Sequence, residues 1–388
     1  MSHAAFLSAF AQARGLGDAD QLVTKYFDRY SFQINSRERA KSTITSLSQR
    51  LDASLSGLRV LDVGCAYGAF TIEFAKLGAR VAGIDVNKHW LDLAAVNAQD
   101  EVDVPFLLCD ASALRAREQL ESYGPFDLVV VNDVFEHIYD TAGLLDNLTH
   151  LLAPGGKIYY KIPNGLATRH VLKEGHKGVF GISLLAPDYW PFFVTYPFSI
   201  YYRRWQYFQS LFDHFKLSIN NLNDMRDADL DLTKRHITND VAKIRRHLKP
   251  ENFKDRKQYG LIRDACHYYF EEVDNDLETL DRDDLFRKYR VTFWEGLLTY
   301  RLEGAAAASA AMNGPKTSGR TSDHTIRTAS ANTSAGTGAG AKTTAPGGKR
   351  TKAAKAAPAP KSTTATKTRR STADKSAASG RARSRARS

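Results

Sequence analysis

The run Val60-Leu61-Asp62-Val63-Gly64-Cys65-Ala66-Tyr67-Gly68-Ala69-Phe70, followed by Val81-Ala82-Gly83-Ile84-Asp85-Val86, constrains the fold more than any other stretch of the chain. It reads as strand, tight turn, helix, strand and terminal acid. That order builds a nucleoside-binding crevice at the carboxyl ends of parallel strands. Glycine at 64 and 68 lets the backbone turn sharply and approach a ligand closely. Asp85 follows the turn by about 20 residues, where a carboxylate accepts hydrogen bonds from ribose hydroxyls. The same residue can instead cap the helix that follows it. A pyrophosphate binder spaces its glycines as G-x-G-x-x-G. Here that series falls on Gly64, Ala66 and Ala69, which disfavours a nicotinamide-dependent oxidoreductase. Ala66 fits the turn if its φ is negative.

The alternation continues on schedule. Strands are predicted at 58–63, 80–85, 105–109, 126–131 and 157–162, and helices at 68–78, 88–98 and 141–152. The strands lack polar alternation, as expected of a parallel sheet covered on both faces. Strands alternating with helices imply right-handed crossovers and a doubly wound, Rossmann-like α/β fold. Pro154-Gly155-Gly156 predicts a turn with proline at i+1 and glycine at i+2. Residues 1–50 show apolar residues at helical spacing (Phe6, Phe10, Leu22, Tyr26, Phe27, Tyr30) and form either a cap over the crevice or a layer packed on the core. Beyond Asn164 the rhythm breaks into a long connection, a helix near 200–213, a strand at 216–219, charged helices over 230–285, and a last segment at 291–300. That last segment reads as an antiparallel strand or as a helix. The resulting organisation is a helical cap over 1–50, a core over 51–164, an acceptor-side loop and helical insertion over 165–303, and a tail over 304–388.

The tail has a different character. From Ala305 it carries 17 Lys and Arg against two acids, a balance of +15 that leaves −4 for the rest of the 388-residue chain. Rich in Ala, Thr, Ser, Gly and basic residues, it cannot bury enough apolar area to offset its entropy and is expected to be disordered. Such a tail binds nucleic acid or an anionic surface through counterion release, without aromatic stacking, or simply solubilises the chain. Three scattered cysteines suit a reducing compartment. With no signal-peptide pattern and no membrane-length apolar run, a cytoplasmic protein is expected.

The acid–G-x-A-x-G run around Asp62 resembles the first motif of class I S-adenosylmethionine-dependent methyltransferases, with Ala66 in place of the middle glycine. The likeness covers roughly 56–164 in motif order and extends loosely to 303. It implies S-adenosylmethionine as cofactor, with Gly64, Ala66 and Gly68 at its methionine end and Asp62 among the cofactor-binding residues. It also implies Asp85 at the ribose, Val86 beside the adenine, Asp110 and Ala111 at the adenine amino group and ring, and Asn132 facing the reacting methyl. Asp110 can equally cap a helix from 112.

Asn132-Asp133-Val134-Phe135-Glu136-His137 resembles the strand-four motif of small-molecule methyltransferases, quinone-ring O-methyltransferases among them. His137 is therefore a candidate general base, or one half of a structural His-Glu pair. His176, in the loop after the fifth strand, is the second candidate base, and His170 a weaker one. Asn/Asp-Pro-Pro-aromatic, the mark of base-amine methylation, is absent, as is a cysteine nucleophile. Thirteen of the 41 aromatic residues fall between Tyr189 and Phe215, as an acceptor pocket or as packing of a lid helix. No ligand spacing suggests a metal. The expected activity is methyl transfer to a small molecule, at a hydroxyl of a glycan, lipid or quinone-like intermediate. An RNA or protein methyltransferase recruited by its tail, and a non-catalytic nucleic-acid-associated protein, are the alternatives.

Overall fold

The computed structural model describes residues 2–51, 54–195, 200–225 and 229–300, all within one compact unit; the basic tail and its expected disorder lie outside the described residues. Four helices come first: α1 (Ser2–Ala13), α2 (Ala19–Thr24), α3 (Phe27–Ile34) and α4 (Ser36–Leu51). The alternating region follows as β1 (Arg59–Val63), α5 (Ala69–Lys76), β2 (Arg80–Asp85), α6 (Lys88–Ala98), β3 (Phe106–Leu108), α7 (Ala116–Leu120), β4 (Phe126–Asn132), α8 (Thr141–Leu151) and β5 (Leu152–Pro163). The rest is α9 (Thr168–Leu172), α10 (Trp205–His214), β6 (Leu217–Asn221), α11 (Leu230–His247), α12 (Arg256–Thr279), α13 (Arg282–Leu285) and β7 (Phe293–Tyr300).

One seven-stranded sheet runs in the order β3-β2-β1-β4-β5-β7-β6. The first five strands are parallel, and β7 lies antiparallel between β5 and β6. The segment at 291–300, open between strand and helix in sequence, is therefore a central strand. Gly296 lets it fit: a Cβ there would stand 2.5 Å from Tyr160 Oη on β5 and 2.8 Å from the Asn220 carbonyl on β6.

Successive strand residues feed two separate cores. Leu61, Val63, Val129, Val131, Ile158 and Tyr160 pack with Leu144, Leu148, Phe208 and Phe212 on one side. Val60, Val81, Leu128, Val130 and Tyr159 pack with Ile44, Leu47 and Phe74 on the other. Both faces are dry, which is why the strands show no polar alternation. Side-chain caps fix the helix starts: Asn87 accepts from His89 and Trp90 N–H, Asp140 from Gly143, and Asp255 from Gln258. Within β5, Gly155 lies at φ +78, as the Pro-Gly pair predicts, where the register with β4 shifts between Leu152 and Lys157.

The N-terminal helices are anchored to the sheet by a buried ion network. Arg37 on α4 pairs with Glu73 on α5 and with Glu101 after α6. Phe6 and Phe10 on α1 close on Tyr67, with ring centroids 5.4 and 5.6 Å away, and Trp90 lies 5.8 Å from the same ring. Residues 165–193 and α9, α11 and α12 share a third core built on Val171, Ile237, Ile262 and Tyr269.

Candidate active site

The parallel strands β1 to β4 are neighbours, so their carboxyl ends share one edge of the sheet, and the turns leaving them make the site. After β1 the chain goes through three left-handed residues: Gly64 at φ +67, Ala66 at φ +47 and Gly68 at φ +74. A Cβ on Gly64 would stand 2.7 Å from Val134 Cγ2, and one on Gly68 2.8 Å from the Phe106 ring. Both glycines are thus demanded by backbone and by packing. Ala66 departs from the negative φ expected of it. The turn is pinned so that its amide reaches Asp85: Ala66 N–H donates to Asp85 Oδ2 at 3.0 Å, and Cys65 N–H donates to the Ile84 carbonyl at 2.9 Å. A backbone set by these two bonds leaves no room for the relaxed geometry.

Asp85 is buried, and its Oδ1 also accepts from Asn87 N–H at 2.8 Å. Burial raises its pKa despite those bonds. It therefore ties the glycine turn to the start of α6 while keeping lone pairs for a ligand. Asp62, expected among the cofactor-binding residues, spends its carboxylate on the protein itself. It is buried behind the turn, with Oδ2 accepting from Thr71 N–H (3.0 Å) and Thr71 Oγ1 (2.6 Å) at the first turn of α5. Burial pushes its carboxyl up to about 7.

Val86 is 67 % exposed and Leu108, at the end of β3, 55 % exposed. These are two bare apolar side chains at the ends of adjacent strands. Asp110 is exposed, and its Oδ1 closes a local turn on Ser112 N–H and Oγ rather than capping a helix from 112, since α7 begins only at Ala116. Ala111 is buried in the core, its carbonyl taken by Asn147 Nδ2 at 2.9 Å.

Beyond β4 the polar chemistry concentrates. Asn132 Nδ2 donates to Asp133 Oδ2 at 3.1 Å, while Asn132 Oδ1 and Asp133 Oδ1 are buried without a partner. Asp133 sits at φ +56. Burial raises its pKa, against the opposing charges of Lys161, Arg39 and His176. Arg39 comes from α4, so the N-terminal helices supply charge to this edge.

The two histidines expected as bases meet here although 39 positions separate them, with ring centroids 5.3 Å apart and nearly perpendicular. Between them lies Glu136, 1 % exposed, its Oε1 3.8 Å from His137 Nε2 and 3.7 Å from His176 Nε2. Glu174, buried, holds His176 from behind: Oε1 takes Nδ1–H at 2.7 Å, and Oε2 takes the backbone N–H of His176 and Lys177. Tyr202 OH donates to the same Oε1 at 2.6 Å. Burial alone would lower the His176 pKa, but Glu136 and Glu174 outweigh it and raise it to about 9. The two carboxylates thus favour the imidazolium form of His176, which suits it to orient or neutralise an acceptor oxygen more than to take its proton. Burial likewise works against Glu174, yet its bonds from His176 and Tyr202 bring it down to about 2. His170 is buried, with Nδ1 on the Asn164 carbonyl at 3.0 Å, and burial lowers its pKa. That makes it a structural histidine.

Sequence reasoning missed Glu174, Tyr202 and Asp133. A signal for Glu174 was available in Glu174-Gly175-His176, whose spacing lets the carboxylate reach back to the ring and the amide of His176. Tyr202 also lines a cavity of about 570 Å³ with Ser183, Tyr189, Arg203, Arg204 and Glu272. The aromatic-rich stretch thus divides: Phe208 and Phe212 are core, whereas Tyr189 and Tyr202 face the cavity.

A family model described as a methyltransferase domain matches residues 32–218. Over these residues the chain carries a methyltransferase domain similar to those of the class I S-adenosylmethionine-dependent methyltransferases. It is 34 % identical over 116 residues to a ubiquinone biosynthesis O-methyltransferase of Nitrosococcus oceani, covering 30 % of this chain and 48 % of that protein. The enzyme of the same name from Ralstonia nicotianae is 34 % identical over 121 residues, or 31 % and 49 % of the two chains. The chain thus spans about half the length of these curated relatives. Among solved structures, an S-adenosylmethionine-dependent methyltransferase from Mesorhizobium loti aligns at 15 % identity and TM-score 0.38, over 65 % of this chain and 94 % of that one.

The residues present suit the family's methyl donor. An acidic side chain with spare lone pairs stands at the end of β2, two exposed apolar side chains flank it, and two orphaned buried oxygens wait at the end of β4.

Proposed function

We propose that this protein transfers the methyl group of S-adenosylmethionine to a hydroxyl of a small molecule, a glycan, lipid or quinone-like intermediate. The observation that carries the donor half is the left-handed turn over Gly64, Ala66 and Gly68, tied to Asp85 at the carboxyl edge of the parallel strands. In this reading Gly64, Ala66 and Gly68 bring backbone to the methionine end, and Asp85 accepts from the ribose. Val86 and the 110–111 segment border the adenine, and Asn132 faces the reacting end. Asp62 acts from behind, by holding the start of α5. The sulfonium supplies an already activated methyl, so what the chain must add is placement, which is worth up to roughly 7–11 kcal/mol in ideal cases.

The acceptor half is supported by the charged cluster beside Asn132. His137 and Glu136 are the groups nearest the reacting edge that can take or direct a hydroxyl proton. The imidazolium of His176, locked by Glu174, orients the acceptor oxygen and offsets its developing charge. The similar proteins named for ubiquinone biosynthesis support an oxygen acceptor in a small molecule. The three described cysteines are free and buried, and no helix of the described residues is long and apolar enough to cross a membrane; both suit the cytoplasm we assign to it.

Calorimetric titration of the full chain with S-adenosylmethionine, S-adenosylhomocysteine and NAD tests the donor half. Binding of the first two and not the third is expected. Asp85→Ala should weaken it roughly 10–100-fold through the lost charge-assisted bonds. Asp85→Asn, which keeps an acceptor for Ala66 N–H, separates ligand contact from loop support. A folded protein that binds neither sulfur compound would overturn the reading.

A further inference from the structure

The geometry points to a divalent transition-metal site formed by Glu136, His137 and His176, with one protein-free position aimed at the acceptor. It deepens the proposed function and rests on that reading for the acceptor, though not for the metal.

One ligand atom from each of the three side chains lies within 4.8 Å of the others. Two edges of the triangle, 3.7 and 3.8 Å from Glu136 Oε1 to the imidazole Nε2 atoms, are too long for hydrogen bonds. They are close to the roughly 3.4 Å between donors that surround a cation at about 2.1 Å in a tetrahedron. Glu136 supplies the independent observation. Both its carboxylate oxygens are buried without a hydrogen-bond partner at normal distance, so their compensation comes from the two imidazoles 3.7 and 3.8 Å away, whose place as counter-charge a bound cation would take. It is held there by fold: the carbonyl of Glu136 accepts from Tyr201 N–H at 2.7 Å, and the flanking Phe135 is buried against Phe208 and Phe212.

His176 has the arrangement of a metal-binding imidazole. Its Nδ1–H is taken by the Glu174 carboxylate, which fixes ring orientation and turns Nε2 toward Glu136, as the partner behind a ligating histidine does. Glu174 is itself steadied by Tyr202 OH and two backbone amides. Two imidazoles and one carboxylate favour zinc, iron, cobalt or nickel over magnesium or calcium, which prefer all-oxygen shells. On binding, the cation displaces the second proton of His176 to solvent. Three protein ligands leave a position open.

An acceptor hydroxyl entering that position gives its proton to solvent as its oxygen binds the cation. The oxygen then forms the new O–C bond while the C–S bond breaks, with its electron pair going to sulfur. Acceptors with a second oxygen next to the hydroxyl, able to chelate, are the class such a site would select.

The test is equilibrium dialysis of tag-free, chelator-stripped full chain against Zn²⁺, with Co²⁺ titration followed by its visible ligand-field absorption and Mg²⁺ as control. One tight Zn²⁺ per chain is expected, with Co²⁺ giving a spectrum of mixed nitrogen and oxygen ligands. Glu136→Gln, His137→Ala and His176→Ala should each weaken binding more than tenfold, and Glu174→Gln by about 10–100-fold. His267→Ala, on an exposed surface of α12, should change nothing. S-adenosylhomocysteine binding, measured on every variant, reports whether it is folded. No stoichiometric metal in protein that binds S-adenosylhomocysteine overturns the metal site and leaves the methyltransferase reading standing. Metal bound at these residues without S-adenosylhomocysteine binding does the reverse. Binding that survives all four cluster variants also overturns the site.

Discussion

Ala66→Gly measures the strain held in the donor turn. Ala66 is at φ +47, where an L side chain costs roughly 1–2 kcal/mol that glycine does not. The substitution also frees the unfolded chain, which costs about 0.4–1 kcal/mol. It further removes one half-buried methyl from the aromatic cluster around Tyr67, about 0.4 kcal/mol at half the value of a buried methylene. The Ala66 N–H to Asp85 bond is backbone and survives. The balance is a change near zero, leaning to a gain of about 0.4 kcal/mol. Had Ala66 the ordinary negative φ, the first term would vanish and the variant would lose about 0.8–1.4 kcal/mol. Urea unfolding by circular dichroism, with wild type and variant fitted to a common slope, separates the two. A loss of 1 kcal/mol or more refutes the strained turn. Ala66→Val supplies the opposite sign: a β-branched side chain at positive φ should destabilise clearly, and S-adenosylhomocysteine affinity should fall with it.

Two further predictions concern pH. Asp62 has its carboxyl raised from 3.8 to about 7, so the folded state holds a proton the unfolded chain has lost. Wild-type stability should therefore fall as pH rises from about 4 to about 7, by up to roughly 4 kcal/mol, and Asp62→Asn should flatten that window; parallel slopes for the two proteins in denaturant titrations would sink the argument. His176 is raised from 6.5 to about 9 in metal-free protein. Its contribution, roughly 3 kcal/mol, should be complete below about pH 6.5 and gone as pH passes about 9, so the gap between wild type and His176→Ala should close over that interval when both are unfolded with a chelator present.

Local physics made most of the sheet legible. The helix predicted at 88–98 is Lys88–Ala98 because Asn87 caps it where an apolar run begins. The strand predicted at 80–85 ends at Asp85 because that carboxylate is spent on Ala66 and Asn87 amides. What local pattern left open was decided at long range. β7 is a strand because Tyr160 and Asn220 line a slot between two others that only extended backbone with glycine fits. The site divides the same way. The placement of Gly64, Gly68 and Asp85, in a left-handed turn tied to the end of β2, follows from spacing alone. The protonation of His176 depends on Glu136, forty positions earlier, and on burial that no spacing records. Ala66's backbone sign likewise comes from a hydrogen bond across two strands.

The clasp of Phe6 and Phe10 on Tyr67 sets an order of events during synthesis. α1 leaves the ribosome well before Tyr67 and Trp90, the rings that complete its packing. During that delay Leu22, Tyr30 and Ile34 can cover part of its apolar side, while the part that Tyr67 and Trp90 will cover stays open. The turn holding Tyr67, in its turn, matures only when an already waiting helix can close over it, so that edge of the sheet is finished from its upstream side.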